Sequence, residues 1–589
     1  MDLEHILNSE KVIPVKYRTT RVERISVGPT KVQILLWVAI TLAAITISLS
    51  NFLDYQVGSR FDEHRYLILA RSLVYADQYG MMNSPGEPLP ERFPFGFPLL
   101  ISPIIWMFPT YLDAPKVIAL ISTVLNTALL FWSWPWLSRS LSNWWGIAIA
   151  GLYAFSPLTI DFSRRIMAEP VFLTFSLISI LLAEKFVRGS RNRWLIPCLS
   201  AALTLVVFTR TIGLTLVACV FFYFLFKVGT KVGKDILKIA LLMGVLVGLV
   251  IALTPVRFLD LVPLWYLKHD KNARPLVSVI SGEPAGVSTG EIDSDFETFS
   301  QIGVDQGQRL SSIRTLVISG FQHVFGENLR WTTIPFGLGV LRQIFDHSIG
   351  NASFVLQIFA YVISGTVVLG LSLFMFREQF SLFSFYPVIY FGALFFWNFN
   401  NPRLFYPIQP QIQIGWLVAI EMLILLISRV FRKFSIRSAY LGMVSLVTMM
   451  LAGSIFNSLQ IEDSRVHAGD LRIRSEWLQA HTYASDIIMT EQPEVDYLYS
   501  GRKTVPYPNT LPTEKELEKY LIDERVDYIL VAPKLGWFER YRPIYSDLTG
   551  EYLPAFERLR ADQRIQLVYS LESDLIRVYR VQKETTRER

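Results

Sequence analysis

Two adjacent carboxylates, Asp62 and Glu63, are the residues in this sequence best placed to do chemistry. They open a segment, residues 62–79, with the apolar periodicity of a helix. At 100° per residue Asp62 shares the apolar stripe with Tyr66, whereas Glu63 and His64 point elsewhere. Asp62 is therefore expected to face whatever the helix packs against. A carboxylate in that position is either a helix cap or a general base.

The composition is not that of a soluble protein. Of 589 residues, 51% are hydrophobic and 14% are aromatic, whereas only 18% are charged. The hydrophobic residues are concentrated in runs of roughly 20, the length that crosses a bilayer as a helix. The sequence therefore predicts a polytopic α-helical membrane protein with about eleven transmembrane helices. The runs cover residues 33–52, 113–136, 144–160, 166–183, 194–209, 211–227, 239–256, 352–375, 382–397, 404–428 and 438–458.

The basic residues between these runs predict the orientation of the chain. Lysine and arginine are enriched in cytoplasmic loops, and all four basic clusters become cytoplasmic if the N-terminus is cytoplasmic and the chain crosses eleven times. The clusters lie at residues 11–31, 185–193, 227–238 and 429–437. They also account for the net charge of +6, so no nucleic-acid partner is needed. The sequence thus predicts an integral plasma (inner) membrane protein of a prokaryote, with segments 53–112, 257–351 and 459–589 outside the cell.

The last part of the chain changes character and predicts a small α/β domain. Residues 1–458 would form the multi-span domain, and residues 459–589 an extracytoplasmic domain in which strands alternate with helices. Strands are predicted at 487–490, 497–499 and 528–531, helices at 514–524 and 552–561, and a final hairpin at 566–570 and 575–581.

Charged side chains collect at the predicted external ends of the spans. A charge at the bilayer centre costs about 2.5–3.5 kcal/mol on insertion scales, so charges next to apolar runs are informative. The charged residues of this face are Glu91, Arg92, Asp161, Arg164, Arg165, Glu169, Arg210 and Arg403, with Lys268 and His269 in the external loop 257–351. Carboxylates and guanidinium groups converging next to Asp62 suit a reaction that needs a base and a bound phosphate.

A sugar linked to a polyprenyl phosphate is a substrate of this kind, because its tail stays in lipid while its phosphate must be neutralised at the interface. We expect Arg210, Arg403 and Arg92 to bind that phosphate and to stabilise the charge that develops as it leaves. A hydroxyl acceptor needs a general base; Asp62 is the candidate and Glu63 the second choice. The expected partners are this donor, a hydroxyl-bearing glycan, lipid or protein, and the lipid bilayer.

Several short motifs resemble those of the GT-C superfamily, the polytopic glycosyltransferases that use lipid-linked sugars. The nearest branch is the protein O-mannosyltransferase and aminoarabinose-transferase type. The motifs are Asp62-Glu63-His64-Arg65-Tyr66, Glu91-Arg92-Phe93-Pro94, the acidic positions Asp161 and Glu169, and a late segment with Arg403 and Tyr406. The resemblance implies an inverting membrane glycosyltransferase with Asp62 as its catalytic carboxylate. It also implies an acidic residue in the second external loop, which is either Asp161 or Glu169.

The same residues have purely structural interpretations. Asp62 would be a helix cap, and Glu169 would favour the start of the fourth span. Asp161 would form an interfacial ion pair with Arg164 or Arg165, and the other span-end arginines would extend to lipid headgroups.

Other function classes also use such charges. A transporter or flippase of a lipid-linked or anionic solute would line its path with them, but the sequence has no inverted repeat and few charges within spans. A non-catalytic assembly protein would display the tail but leave the charged face unexplained. No cofactor is required by the sequence. The carboxylates of Asp161, Glu169 and Glu91, expected beside the substrate, would also suit a divalent metal ion.

Overall fold

The chain folds into a large group of helices followed by a small sheet, as seen in a computed structural model. The structure describes residues 29–50, 52, 57–58, 62–76, 79–88, 93–190, 192–229, 232–253, 352–395, 402–430, 436–459, 468–508, 513–533, 538–539, 542–543, 546–571 and 575–582. Four predicted site residues, Glu91, Arg92, Lys268 and His269, lie outside this range, as does the whole loop 257–351.

A helix overlaps each of the eleven predicted apolar runs. This agreement has a physical basis, because a chain in hydrocarbon must satisfy its backbone hydrogen bonds within the segment itself. The helices are α1 (Lys31–Ser50), α2 (Glu63–Tyr75), α3 (Gly96–Met107), α4 (Lys116–Trp132), α5 (Trp134–Leu137), α6 (Asn143–Ala154), α7 (Pro157–Ser163), α8 (Ala168–Val187), α9 (Leu195–Thr209), α10 (Leu214–Val228), α11 (Gly233–Leu253), α12 (Ala352–Arg377), α13 (Leu382–Phe395), α14 (Gln409–Val430) and α15 (Ile436–Leu459). Short 3₁₀ turns, Thr211–Gly213 and Pro402–Ile408, precede α10 and α14.

Several helices in the described part of the chain have the length and apolarity of a membrane span. Within the described residues, four stretches are long and apolar enough: Lys31–Ser50, Ala168–Val187, Thr211–Val228 and Arg403–Ile427. A fifth span would combine α6 and α7, which meet at an angle of 62°. Other apolar helices, such as α4 and α9, are shorter than a membrane span. The architecture is helical with several candidate spans, and the number of eleven crossings stays a prediction.

The bend between α6 and α7 brings a cationic side chain back to the first span. A proline inside a helix removes one hydrogen bond and collides with the preceding turn, and Pro157 accordingly starts a new helix instead of continuing α6. Arg164 follows α7 with its side chain fully buried. Its guanidinium donates to the carbonyl oxygens of Ile47 and Ser48 at the C-terminal end of α1. Because terminal carbonyls lack partners within their own helix, Arg164 caps α1.

Two glycines allow α12 and α14 to approach closely. A Cβ atom added to Gly370 would lie 1.7 Å from the carbonyl oxygen of Gly415. Small residues at such a crossing let two helix backbones touch. The contact fixes α14, and α14 directly follows the 3₁₀ turn that carries Arg403.

The C-terminal region forms a mixed five-stranded sheet with helices against it. Its elements are α16 (Ala468–His481), β1 (Ile487–Thr490), α17 (Pro493–Ser500), β2 (Lys503–Pro506), α18 (Glu514–Asp523), β3 (Tyr528–Val531), β4 (Phe538–Glu539), β5 (Arg542–Pro543), α19 (Asp547–Ala561), β6 (Ile565–Leu571) and β7 (Ile576–Val581). The strand order is β2-β1-β3-β7-β6. Strand β1 is parallel to β2 and β3, whereas β7 is antiparallel to β3 and β6. The final hairpin was predicted from sequence.

One predicted strand of this region is wrong. Residues 497–499 lie in α17, a helix that starts with Pro493 in its first turn and has Glu494 and Asp496 nearby. Proline and carboxylates are favoured at a helix N-terminus, and Gly501 ends the helix in the left-handed conformation at φ +71°. These end signals outweigh the β propensity of the tyrosines. The helix α16 and the strand β2 were not predicted.

The C-terminal domain is in direct contact with the first loop of the membrane region, residues 53–112. Leu498 of α17 is buried in the same apolar cluster as Val57 and the side chains of α2. The Tyr499 hydroxyl donates to the Val57 carbonyl oxygen at 3.0 Å. The Thr504 amide of edge strand β2 donates to the Asn83 carbonyl oxygen at 2.7 Å. The loop and the domain therefore share one core and backbone hydrogen bonds.

Candidate functional site

Asp62 stands immediately before α2 and contacts a distant part of the chain. It occupies the N-cap position, but its side chain makes no capping hydrogen bond. Instead, its Oδ2 atom accepts a hydrogen bond from Nη1 of Arg403 at 2.7 Å, across 341 positions of sequence. The interpretation of Asp62 as a simple cap is therefore not supported. Two residues predicted for the site are brought together.

Glu169 lies between two guanidinium groups. It belongs to the first turn of α8, and its side chain is only 1% exposed. Its Oε1 atom pairs with Nη1 of Arg210 and lies 4.0 Å from Nε of Arg403. Its other oxygen, Oε2, is buried and has no hydrogen-bond partner among the described residues. Both arginines thus turn toward a carboxylate of the protein rather than outward to lipid headgroups.

These pairs extend into a line of alternating charges. Arg65 lies one helical turn after Asp62, and its charge acts on that carboxylate. Its Nε atom is 3.1 Å from Oε1 of Glu494 in the C-terminal domain. We call the whole set the charge line; its order is Glu494, Arg65, Asp62, Arg403, Glu169, Arg210. Three carboxylates alternate with three guanidinium groups, so the line is formally neutral. It runs from the C-terminal domain to the first turn of α8, which carries Glu169, and to Arg210, which directly follows α9.

The electrostatics keep Asp62 ionised. Burial raises the pKa of its carboxyl, but the opposite charges of Arg403 and Arg65, with the hydrogen bond from Arg403, outweigh burial and lower the pKa below its usual value. Tyr66 behaves in the opposite way, since burial and the carboxylate of Glu169 raise the pKa of its phenol. At neutral pH the site therefore contains a carboxylate and a protonated tyrosine.

Glu63 has a different position from the predicted one. It was expected to point away from the packed face of α2, yet it is fully buried, while the Asp62 side chain is 21% exposed. Its oxygens accept hydrogen bonds from the amides of Gly58 and Ile166, both at 3.1 Å. Glu63 is buried in spite of its helical phase because α2 is covered on several sides, including the side of the C-terminal domain. Burial raises the pKa of the Glu63 carboxyl, against the effect of Arg165.

The two arginines between α7 and α8 have different partners: Arg165 forms an ion pair, and Arg164 caps a helix. Nε and Nη2 of Arg165 donate to Oδ1 of Asp161 at 3.0 and 2.9 Å. This is the ion pair that was weighed as the structural interpretation of Asp161. Arg164, as described above, caps α1. Glu169, rather than Asp161, is therefore the carboxylate that contacts Arg210 and Arg403, the arginines predicted to bind the donor phosphate.

Tyr406 lies apart from the charge line, although it is close to Arg403 in sequence. It is fully buried, and its hydroxyl is 2.6 Å from that of Tyr153. Its ring packs against Phe162 with 5.1 Å between ring centroids. We assign it to the packing of the helices around the site.

Two residues of the charge line were missed from sequence. Arg65 is part of the acidic-pair motif, and its spacing of three from Asp62 places both on one side of a helix; this signal was available. Glu494 had no such signal, because nothing in the sequence indicates which loop the C-terminal domain contacts.

A divalent metal ion would need several of the site's carboxylates in one place. Within the described residues, no three His, Cys, Asp or Glu side chains come together as a metal site would require. Asp62 and Glu169 are instead engaged with arginines. We therefore derive no step through a metal.

Comparison with known proteins addresses the fold. No protein-family model matches the chain, and no curated protein matches its sequence. ArnT from Cupriavidus metallidurans bound to undecaprenyl phosphate matches with a TM-score of 0.51 and 12% identity, over 95% of this chain and 99% of ArnT. The same protein in the apo state gives 0.50 at 12% identity, over 93% and 97%. Both structures are GT-C superfamily membrane glycosyltransferases. The chain has the GT-C fold.

A second GT-C protein extends the likeness. The oligosaccharyltransferase of Archaeoglobus fulgidus in the apo form matches with a TM-score of 0.50 and 12% identity, over 84% of this chain and 69% of that protein. The superfamily resemblance predicted from short motifs is confirmed at the level of fold. At 12% identity the likeness shows the fold alone.

Proposed function

We propose that the protein transfers a sugar from a polyprenyl-phosphate donor to a hydroxyl acceptor at the extracytoplasmic membrane face. The observation that carries the proposal is the segment of the charge line from Asp62 through Arg403 and Glu169 to Arg210, located in a GT-C fold. It places a potential base beside two cations that suit a phosphate. ArnT, which shares the fold, has been crystallised with undecaprenyl phosphate, and this supports a lipid phosphate as the donor's carrier.

The donor phosphate would bind by exchange of partners. Arg403 and Arg210 are engaged with protein carboxylates in the described state, and a phosphate would compete for the same guanidinium groups. Bidentate, charge-assisted hydrogen bonds favour arginine for this task. Glu169 would then serve as the internal anion that holds the two cations apart and oriented before the donor arrives.

The same exchange would activate the base. While Arg403 holds Asp62, the carboxylate is a weak base because its pKa is lowered. A phosphate that draws Arg403 away would weaken this ion pair and raise the proton affinity of Asp62. Donor binding and base activation are thereby coupled through one guanidinium group.

The transfer is written as a single displacement with inversion. The acceptor oxygen forms a bond to C1 of the sugar while the bond from C1 to the phosphate oxygen breaks. The acceptor proton passes to Asp62, and the bonding electrons leave with the polyprenyl phosphate, whose charge Arg403 and Arg210 stabilise. Phosphate is a good leaving group, so no strong general acid is needed.

The location follows from the predicted orientation. With a cytoplasmic N-terminus, the start of α8 and the end of α1 lie on the outer side, together with the C-terminal domain. The proposed location is the plasma membrane of a prokaryote, where lipid-linked sugars are used in building the cell envelope. The experiment below identifies the sugar that the donor lipid carries.

The deciding experiment compares membranes with and without the active protein. Lipids are extracted from cells that express the full-length protein, Asp62→Asn or no protein, and glycosylated polyprenyl phosphates are measured by mass spectrometry. We expect one such lipid to accumulate in the deletion and Asp62→Asn strains and to fall when the wild-type protein is restored. Asp235→Asn is the matched control, since Asp235 pairs with Lys238 in α11 and not with the charge line.

Two outcomes would contradict the proposal. If Asp62→Asn restores the lipid profile as fully as the wild type does, Asp62 is not the base. If the wild type moves a labelled lipid-linked sugar across vesicle membranes without transferring the sugar, the protein is a transporter or flippase.

A further inference from the structure

The C-terminal domain contributes one charged residue to the neighbourhood of Asp62. That residue is Glu494, in the first turn of α17, whose carboxylate is 3.1 Å from Nε of Arg65. Both side chains are largely buried, at 16% and 23% exposure. The nearby charge of Arg65 lowers the pKa of the Glu494 carboxyl against the effect of burial. A semi-buried ion pair thus joins the domain to the helix that begins at Asp62.

The backbone around this pair is firmly held. Val495, the neighbour of Glu494, packs on Gly58; a Cβ at Gly58, which has φ +88°, would lie 3.2 Å from Val495 Cγ2. Glu63 binds the amide of the same Gly58. The carboxylate of Glu494 is therefore presented to Arg65 by a fixed surface and not by a loosely tethered domain.

Arg65 acts on two of the described carboxylates. Its positive charge acts on Asp62 as well as on Glu494, and its guanidinium carbon also lies 5.6 Å from the ring centre of Phe93. The position of the Arg65 guanidinium between Asp62 and Glu494 determines how strongly Arg65 competes with Arg403 for the carboxylate of Asp62. Among the residues that the structure describes, Asp62 is a second carboxylate on which the charge of Arg65 acts, and it lies one helical turn away.

We propose that Glu494 is a positioning residue: it holds the Arg65 guanidinium toward the C-terminal domain and so leaves Asp62 paired with Arg403. The C-terminal domain would thereby help to set the charge environment of Asp62. The consequence of this positioning for catalysis rests on the proposed role of Asp62 as the base.

The test measures the ionisation of Asp62 without any substrate. Full-length protein in lipid nanodiscs is titrated by infrared spectroscopy, and the carboxyl band of Asp62 is identified as the one absent from Asp62→Asn. Among the described residues, the charged and titratable groups around Asp62 are Arg403 from the 3₁₀ turn and His64, Arg65 and Tyr66 from α2. Glu169 of α8 lies beside Arg403, and Glu494 of α17 pairs with Arg65. We expect Glu494→Gln to lower the pH midpoint of the Asp62 titration by about one unit, because the guanidinium of Arg65 then turns toward Asp62. Glu494→Asp should restore most of the wild-type midpoint.

A matched control removes the same charge elsewhere on the interface. Glu87 pairs with Lys503 across the same two parts of the chain, at 3.2 Å, and lies outside the charge line. Glu87→Gln should leave the midpoint of Asp62 unchanged. An equal shift in Glu87→Gln would overturn the proposal, because loosened docking would then explain the effect.

A double-mutant cycle separates positioning from direct repulsion between carboxylates. With Arg65 replaced by Met, Glu494→Gln should no longer lower the midpoint appreciably. The proposal is wrong if the shift persists without Arg65, or if Glu494→Gln alone produces none. Failure of the proposed function would appear differently, because the lipid profile of Asp62→Asn cells would equal that of wild-type cells. That result would not affect the titration midpoints.

Discussion

Asp62 and Glu63 are adjacent in the sequence but are engaged in different interactions. Asp62 pairs with the guanidinium of Arg403, whereas Glu63 accepts two backbone amide hydrogen bonds inside the protein. Their pKa values move in opposite directions, lowered for Asp62 and raised for Glu63. One carboxylate is thus paired with a guanidinium group, and the other holds the loop through backbone hydrogen bonds.

The first prediction separates these two roles by substitution. Asp62→Asn should lower sugar transfer by about 10²–10⁴-fold, the usual contribution of a general base, while the protein remains folded. Glu63→Ala should instead destabilise the protein by about 1–3 kcal/mol, because two buried amides lose their acceptor. Transfer by lipid mass spectrometry and thermal unfolding in detergent measure the two effects. An Asp62→Asn protein that is unstable but active would reverse the assignment.

The second prediction concerns the pH dependence of stability. Because the folded-state pKa of Asp62 is lowered, its contribution to stability is fully present above its unfolded-state pKa, about 3.9. That contribution is lost as the pH falls through the folded-state value. The difference in unfolding temperature between wild type and Asp62→Asn should therefore be largest near neutral pH and shrink below about pH 4. A difference that grows in acid would show that the Asp62–Arg403 pair does not stabilise the fold.

The third prediction treats Glu169 as the internal anion between Arg403 and Arg210. Glu169→Gln leaves two neighbouring buried cations and should destabilise the empty protein by about 3–5 kcal/mol, the range found when one partner of a buried pair is removed. Undecaprenyl phosphate should then raise the unfolding temperature more in this variant than in wild type, because its phosphate replaces the missing charge.

A control for this prediction lies at the other end of α8. Tyr223 and the amide of Leu382 donate to the carboxylate of Glu184 at 2.9 and 2.6 Å. Glu184→Gln should also destabilise the protein, but without a gain in stabilisation by undecaprenyl phosphate. An equal gain in both variants would mean that the lipid does not bind beside Glu169.

The fourth prediction concerns Arg164, which is charged and buried but not part of the charge line. Arg164→Gln should lower stability by about 1–3 kcal/mol, since the carbonyls of Ile47 and Ser48 lose their donor. Stabilisation by undecaprenyl phosphate should be unaffected, in contrast to Arg403→Gln. Thermal unfolding with and without the lipid distinguishes a cap from a phosphate ligand, and loss of lipid binding in Arg164→Gln would identify it as a ligand.

The sequence by itself determined the helices and the types of charge near their ends. Apolar runs of about 20 residues leave a chain little choice but helix, because the backbone must satisfy its own hydrogen bonds in lipid. The short motifs around Asp62 also pointed to the GT-C fold. Charged residues at the predicted outer ends of spans identified Arg210, Arg403 and Glu169 as candidates, since such residues are costly unless they are paired or functional.

Tertiary structure alone decided which of these charges meet. Asp62 and Arg403 are 341 positions apart, and no local rule of spacing selects Glu169 over Asp161 as the carboxylate between the arginines. The helical stripe failed at Glu63 because it assumes one packed face, whereas α2 is covered from several directions. The contact of Glu494 with Arg65 depends on where a separate domain docks, and docking is fixed by complementary surfaces that no single segment of the chain contains.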